Sequence, residues 1–419
     1  MCAQKLPFSN WNRFNMKSPN LSPVKTTNRI EILDIWRGFA VFGIFMVNIE
    51  IMNSVFINQD LYYEEMIGPL DSIIIRLSQL FFYNKFFPIF SFLFGLGIAM
   101  QLEKLKLKKK SRSFILKRML ILFIIGILHI TLIWGGDVIH LYAILGVLIS
   151  ILYKLYSRCL LLLACYFLLF PFYDIVAEYI FSWIGFSPEN ILKTYNYDTV
   201  TKVLRNGSYT EALKFRILEY FSNVQVLFVF LAPMAFSMML LGTSFVRSGK
   251  ILKLREFILK NKNTFIWLAI ITNVYRIIFL FILPNFDIYR DDFLGPIWLK
   301  LMIICDTLFG LFYMWFIAWL WFTGKLIKAL KPLASVGKMA LSNYILQSFI
   351  GVIIFNGIGF SMYQKLNLVQ CFFTVISVFI FQLILSKIWL QHFKFGPLEW
   401  CWRCLSYGKL FSIKKEKSQ

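Results

Sequence analysis

The sequence predicts an all-α polytopic membrane protein, a bundle of about ten transmembrane helices, and three observations predict it. Of 419 residues, 58% are hydrophobic and only 16% charged, and the mean hydropathy is +0.67, whereas an ordinary soluble domain is roughly half apolar and a quarter charged. Apolar runs of about 20 residues, enough to cross a ~30 Å hydrocarbon layer, recur along the whole chain. Nothing alternates with the period of barrel strands, and a chain in lipid must close its backbone hydrogen bonds within each segment, so the spans are helical.

In order, the expected spans run near Leu33 to Val55, Ile73 to Met100, Ser113 to Trp134, Val138 to Tyr153, Cys159 to Trp183, Asn223 to Val246, Thr264 to Leu283, Ile297 to Phe322, Met339 to Ile358 and Val369 to Trp389. A basic tail over residues 1–29 precedes a first transmembrane region, 30–220, which ends in a long loop, and a second region, 221–419. The apolar run after the tail is longer than a secretory h-region and lacks a small-x-small cleavage site, so no cleaved signal is expected. Seven cysteines, mostly inside apolar runs, show no disulfide or metal spacing. The loop from Gly185 to Tyr220 holds two short stretches with helical apolar spacing, read as an interfacial or lid-like element.

The net charge of +22 sits in short clusters between apolar runs, without a nucleic-acid-binding motif, so nucleic acid is not an expected partner. Loop charge alternates instead. The tail and the loops "EKLKLKKKSRSFILKR", "KLYSR", "RSGKILKLREFILKNK" and "TGKLIKALKP" are basic, whereas the loop from Asn53 to Asp71, the "GGD" turn and "NFDIYRDDF" are acidic or nearly so. The positive-inside rule then places both termini in the cytoplasm, in contact with anionic membrane lipid.

Charged side chains inside a span cost about 2.5–3.5 kcal/mol at mid-bilayer on insertion scales, so each one needs a reason. In "LDIWRGFAVFGIFMVN", Asp34 and Arg37 lie one turn apart and Asn48 stands 11 residues after Arg37, about three turns, so all three share a face. The third span repeats the spacing with Arg118 and His129, and Asp137 and His140 follow beyond the "WGGD" turn. Two of the chain's three histidines thus converge with an aspartate at one turn, a set suited to a carboxylate-oriented imidazole that takes or gives a proton. No metal site is expected, because two His and one Asp lack the spacing of a zinc motif. Lys85, beside Asn84 and Pro88, reads as a snorkelling lysine, with an anionic substrate group as the alternative. Asn343 and Gln347, four apart, suit interhelical hydrogen bonds. Glu399 and Arg403 suit an amphipathic interfacial helix.

Three segments together, "NRIEILDIWRGFAVFGIFMVNI", "GILHITLIWGGDVIHLYAILG", and "SVGKMALSNYILQS" with the terminal "FGPLEWCWR", resemble the YeiB-like family of bacterial membrane proteins, domain of unknown function 418. The resemblance spans nearly the whole chain and places the family's C-terminal domain in its second half. The first helix is also similar to that of integral membrane acyltransferases, including the acyltransferase-3 and heparan-glucosaminide acetyltransferase groups, whose opening motif has the form LDxxRG. Many acyltransferase-3 proteins have a histidine 11 residues after that arginine, and Asn48 stands there in this chain.

This resemblance implies an acyltransferase-like enzyme of the bacterial plasma membrane, with acyl-CoA as the candidate donor and an envelope acceptor. The His–Asp set read from the spacing supplies the catalytic candidates, His129 and Asp137. Asp34, Arg37, Asn48, Arg118, His140, Asn343 and Gln347 are candidate substrate-lining residues, and no metal is assigned. The alternatives are a transporter or permease whose path runs along the same buried face, or a non-catalytic envelope protein.

Overall fold

The computed structural model describes residues 30–66, 68–105, 111–170 and 172–415. The expected basic tail, 1–29, and the centre of the basic loop at 106–110 lie outside the described residues. Among those described, the chain is helical, and its only β pairing is an isolated bridge between Phe393 and Lys414.

The first half contains α1 (Glu31–Ser54), α2 (Gln59–Met66), α3 (Pro69–Phe81), α4 (Phe86–Leu105), α5 (Ser111–Leu132), α6 (Ile139–Leu152), α7 (Ser157–Leu169), α8 (Tyr173–Trp183), α9 (Tyr197–Asn206) and α10 (Tyr209–Ser222). The second half contains α11 (Val224–Val226), α12 (Ala232–Arg247), α13 (Leu254–Lys260), α14 (Lys262–Ile277), α15 (Leu294–Phe322), α16 (Ile327–Lys338), α17 (Ala340–Phe355), α18 (Leu368–His392) and α19 (Pro397–Tyr407).

Seven helical stretches among the described residues are long and apolar enough to cross a membrane, and nine are if each of two bent pairs counts as one span. The difference from ten has a physical source. α6 is apolar but has only 14 residues, short of the roughly 20 that a straight crossing needs. The fifth expected span bends by 80° between α7 and α8, and the ninth begins at an 82° bend from α16, a helix in the basic segment that precedes it. The second is broken at residues 82–85 between α3 and α4, where Asn84 has a φ of 57°.

α4 and α12 pack along each other at the centre, with α1, α6 and α15 against α4 and with α7 against α12. α16 and α17 lie on α1, and α18 covers α1, α3 and α16. At the end of the bundle that bears the start of α1, Gly38 and Gly337 face each other's helices. A Cβ on Gly337 would collide with the Asp34 carbonyl oxygen, and one on Gly38 with the Leu333 carbonyl oxygen, so only glycine lets α1 and α16 cross this closely.

Each break leaves helix-end carbonyls or amides without intrahelical partners. At the α3–α4 break, the Lys85 ammonium donates to the carbonyl oxygens of Gln79 (3.0 Å) and Tyr83 (2.7 Å), and Arg276 donates to that of Leu80. Asp306 holds both cations, with 2.7 Å to Lys85 Nζ and 2.7 Å to Arg276 Nε. Lys85 is fully buried, so it does not snorkel. It is part of the clamp that seals the break.

The α16–α17 break is closed by Glu399 of α19. Its carboxylate accepts from the amides of Leu341 (2.7 Å) and Ser342 (3.0 Å) and from the Ser342 hydroxyl (2.5 Å). α19 is therefore docked rather than merely interfacial, and the carboxylate sits where the positive end of a helix dipole favours it. Burial pushes the Glu399 carboxyl above its ordinary value, against those bonds, which favour ionisation.

Replacing Asp306 by Ala strands two buried cations and is expected to cost about 3–5 kcal/mol. The expected result is a marked fall in detergent-stable, monodisperse protein and in its thermal midpoint. Unchanged stability would show that Lys85 and Arg276 are held by the carbonyls alone.

Candidate functional site

The Asp137 carboxylate lies in the turn between α5 and α6 and is buried with both histidines that flank it. Its Oδ1 is 3.0 Å from His129 Nδ1 and its Oδ2 3.6 Å from His140 Nδ1. The Ile139 amide also donates to Oδ2, at 2.9 Å. Gly126, one turn before His129, faces the His140 backbone so closely that a Cβ there would collide with it. That approach brings the first turn of α6 against α5 and places the two imidazoles on either side of one carboxylate.

Burial opposes ionisation of Asp137, but hydrogen bonding to His129 and His140 outweighs it and holds the carboxyl below its ordinary value. An ionised carboxylate only accepts, so His129, 3.0 Å away, carries its proton on Nδ1 when neutral and presents Nε2 as an acceptor. His140 Nε2 is taken, since the Tyr220 hydroxyl of α10 lies 2.8 Å away. His129 Nε2 is buried and has no hydrogen-bond partner among the described residues. Of two histidines on one carboxylate, only His129 keeps an available lone pair. Tyr344 of α17 packs against it, with ring centroids 5.5 Å apart.

The other expected site residues fall elsewhere. Arg37 Nη1 bonds Asp34 Oδ1 at 2.9 Å, the expected helix-end ion pair. Arg118 lies 3.7 Å from the Trp402 ring centroid, within electrostatic reach of Arg403 and Arg37. Asn48 is half-buried on α1, and no hydrogen bond joins it to the His–Asp set among the described residues. Asn343 donates to Ser386 (3.0 Å) and Gln347 to Gln382 (2.8 Å), which ties α17 to α18. They are bundle contacts between α17 and α18.

Residues 245–409 match the family model described as a protein of unknown function, DUF418. Three relatives extend the likeness over nearly the whole chain. An uncharacterised 39.9 kDa protein from the amylase 3' region of Bacillus acidopullulyticus is 28% identical over 95% of this chain and 99% of its own. YxaH of Bacillus subtilis is 26% identical over 95% and 99%, and YeiB of Escherichia coli is 25% identical over 89% and 95%. The chain is thus similar to YeiB over most of its length, and its second half matches the DUF418 family model. No solved structure matches it. The DUF418 segment contains α13 to α19, with Asp306, Tyr344 and Glu399, whereas His129, Asp137 and His140 all precede it.

Spacing pointed to His129, Asp137 and His140, but Tyr220 and its neighbour Glu219 carried no signal, since they lie in a polar loop where such residues are ordinary. Glu219 Oε1 accepts from the Phe56 amide at 3.1 Å, which ties α10 to the end of α1. Burial raises its carboxyl from the ordinary 4.5 to about 7, partly offset by the Phe56 amide and Arg216. A carboxyl whose value is higher when folded stabilises docking fully below about 4.5 and loses that contribution as the pH rises to about 7. Hydrogen exchange at α10 amides, corrected for intrinsic rate, should therefore speed up between those pH values. Glu219→Gln should flatten the change, and an identical slope in that variant would assign it to another group.

Proposed function

We propose that this membrane protein is an acyl-transfer enzyme of the bacterial plasma membrane, with His129 as general base and Asp137 as the residue that orients it. The observation that carries the reading is the buried His129 Nε2, free of partners, behind an imidazole fixed by an ionised carboxylate. In this reading His129 Nε2 takes the proton of an acceptor hydroxyl as its oxygen attacks the acyl carbonyl of a thioester donor. The carbon–sulfur bond breaks, and the departing thiolate takes the proton back from the imidazolium.

Acyl-CoA is the donor in this proposal, and both chain termini are cytoplasmic. Arg37 and Arg118 then stand at the cytoplasmic end, where arginines suit phosphate groups. Arg118 precedes His129 by 11 residues on α5, about 16 Å along the axis, so the donor's flexible arm would reach from that end toward the imidazole. Asn48, in the place of the acyltransferase-3 histidine, serves as a neutral lining residue, and the base moves to α5.

One observation favours transport of a small solute instead. Glu50 of α1 is buried, and the Tyr63 (3.2 Å) and Tyr83 hydroxyls donate to its carboxylate. No basic side chain pairs with it among the described residues. Buried acids of this kind serve as proton sites in transporters.

The test follows labelled acyl groups from donor to envelope glycan or lipid in membranes that contain the wild type, His129→Ala, His129→Gln or Asp137→Asn. Loss of about 10²–10⁴-fold in both His129 variants is expected of a general base. Transfer that is unchanged in them would remove His129 from the mechanism. Solute uptake into vesicles without donor consumption, abolished by Glu50→Gln, would favour the transporter.

A further inference from the structure

α10 covers a cavity of about 20 Å³ whose lining includes Met52, Val55, Trp134, Arg216, Glu219 and Asn356. Neither His129 nor Asp137 lines it. Arg216 is only 4% exposed. Its Nη2 donates to Asn356 Oδ1 at 3.0 Å, and its guanidinium lies 5.6 Å from the Tyr209 ring centroid. The Tyr209 side chain also acts on the guanidinium, and Nη1 has no hydrogen-bond partner among the described residues. The nearby carboxylate does not supply one, because Glu219 Oε1 is engaged by the Phe56 amide and acts on Arg216 only as a more distant charge.

A buried guanidinium with an idle donor and no paired carboxylate is unusual, because removing a charge from water is costly unless an opposite charge and hydrogen bonds replace the solvent. The bond to Arg216 fixes the Asn356 amide by its oxygen, which leaves the amide nitrogen as a second donor. We propose that Arg216 and Asn356 form a binding site for one oxyanion group, a carboxylate or phosphate, carried by a small soluble compound or by a lipid headgroup. A guanidinium edge and an amide are donors only, so the pair selects acceptors with negative charge. Glu219, whose carboxyl is raised to about 7, stands beside the anion as a neutral acid below that pH rather than as a second negative charge.

Arg216 and Tyr220 lie four residues apart on α10, one helical turn and the same face. An oxyanion held at Arg216 is therefore anchored one turn from the hydroxyl that occupies His140. The site rests on the geometry of α10 and not on the chemistry proposed for His129. If acyl transfer is correct, it is where an acidic group of the acceptor would be held.

The experiment uses the full chain in phosphatidylcholine nanodiscs, titrated with sodium acetate or inorganic phosphate against chloride at constant ionic strength. Hydrogen exchange in α10 and the thermal midpoint are followed. Saturating acetate or phosphate should slow α10 exchange about tenfold, and Arg216→Gln should abolish the effect. If chloride nanodiscs that contain phosphatidylglycerol give the same protection and soluble anions add nothing, the source is the headgroup. Asn356→Asp guards against a folding failure of the first variant, since it places a carboxylate against Arg216. It should raise the midpoint and remove the anion response. His129→Gln should respond as the wild type does, which separates this site from the proposed catalysis. No response to any probe, or an equal response in Arg216→Gln, would overturn the assignment in favour of a water-filled gap or an adventitious ion only.

Discussion

A helix that breaks inside a bilayer has no water to satisfy the backbone groups it frees, so other parts of the chain must do so. This constraint organises the bundle. Lys85 and Arg276 take the carbonyls at the α3–α4 break, and Asp306 holds both cations. Glu399 takes the first amides of α17. Asp137 takes the Ile139 amide where α6 begins. Each closure uses a charged group, and each charge is covered by a partner or a helix end. Breaks of this kind would otherwise be weak points, but here they fix how separate helices sit against one another.

The closures also account for the segments that carry the family resemblance. "LDIWRG" contributes Gly38, which meets α16 beside the Gly337 of "SVGK". "ALSN" contributes the amides that "FGPLEW" caps through Glu399. "GILH" and "GGDVIH" contribute Gly126 and the His–Asp–His set. These short motifs, far apart in sequence, are in two cases opposite sides of one contact. Similarity in them reports a way of holding a broken-helix bundle together, and this is consistent with a family model that covers residues 245–409 but not the histidines.

The sequence shows some of this and hides the rest for a definite reason. Helical period and apolar length locate the spans, and the spacing of His129, Asp137 and His140 around a two-glycine turn foretells their convergence, since a tight turn leaves them nowhere else to go. Asn343 and Gln347 likewise read as interhelical donors, and they are. Asp306 and Arg276 are charges in apolar runs, but a period gives a face and not a partner, and Lys85, which shares Asp306 with Arg276, lies in a distant part of the sequence. Glu399 shows the same limit. Four residues from Arg403, it looked like half of a surface pair, and only the docking of α19 turns it toward α17. Tyr220, Arg216 and Glu219 lay in a loop where polar residues need no explanation, so nothing marked them.

Those loop residues change what the His–Asp set can do. The Asp137 carboxylate stands between two imidazoles unequally, 3.0 Å from His129 Nδ1 and 3.6 Å from His140 Nδ1, with the Ile139 amide on the His140 side. α10 adds a further difference, because the Tyr220 hydroxyl engages His140 Nε2, whereas His129 Nε2 is buried without a partner among the described residues. α10 is itself held at the end of α1 by Glu219. A change in its docking would therefore alter the contact of one imidazole without moving either histidine, so this loop helix distinguishes the two histidines of the turn it covers.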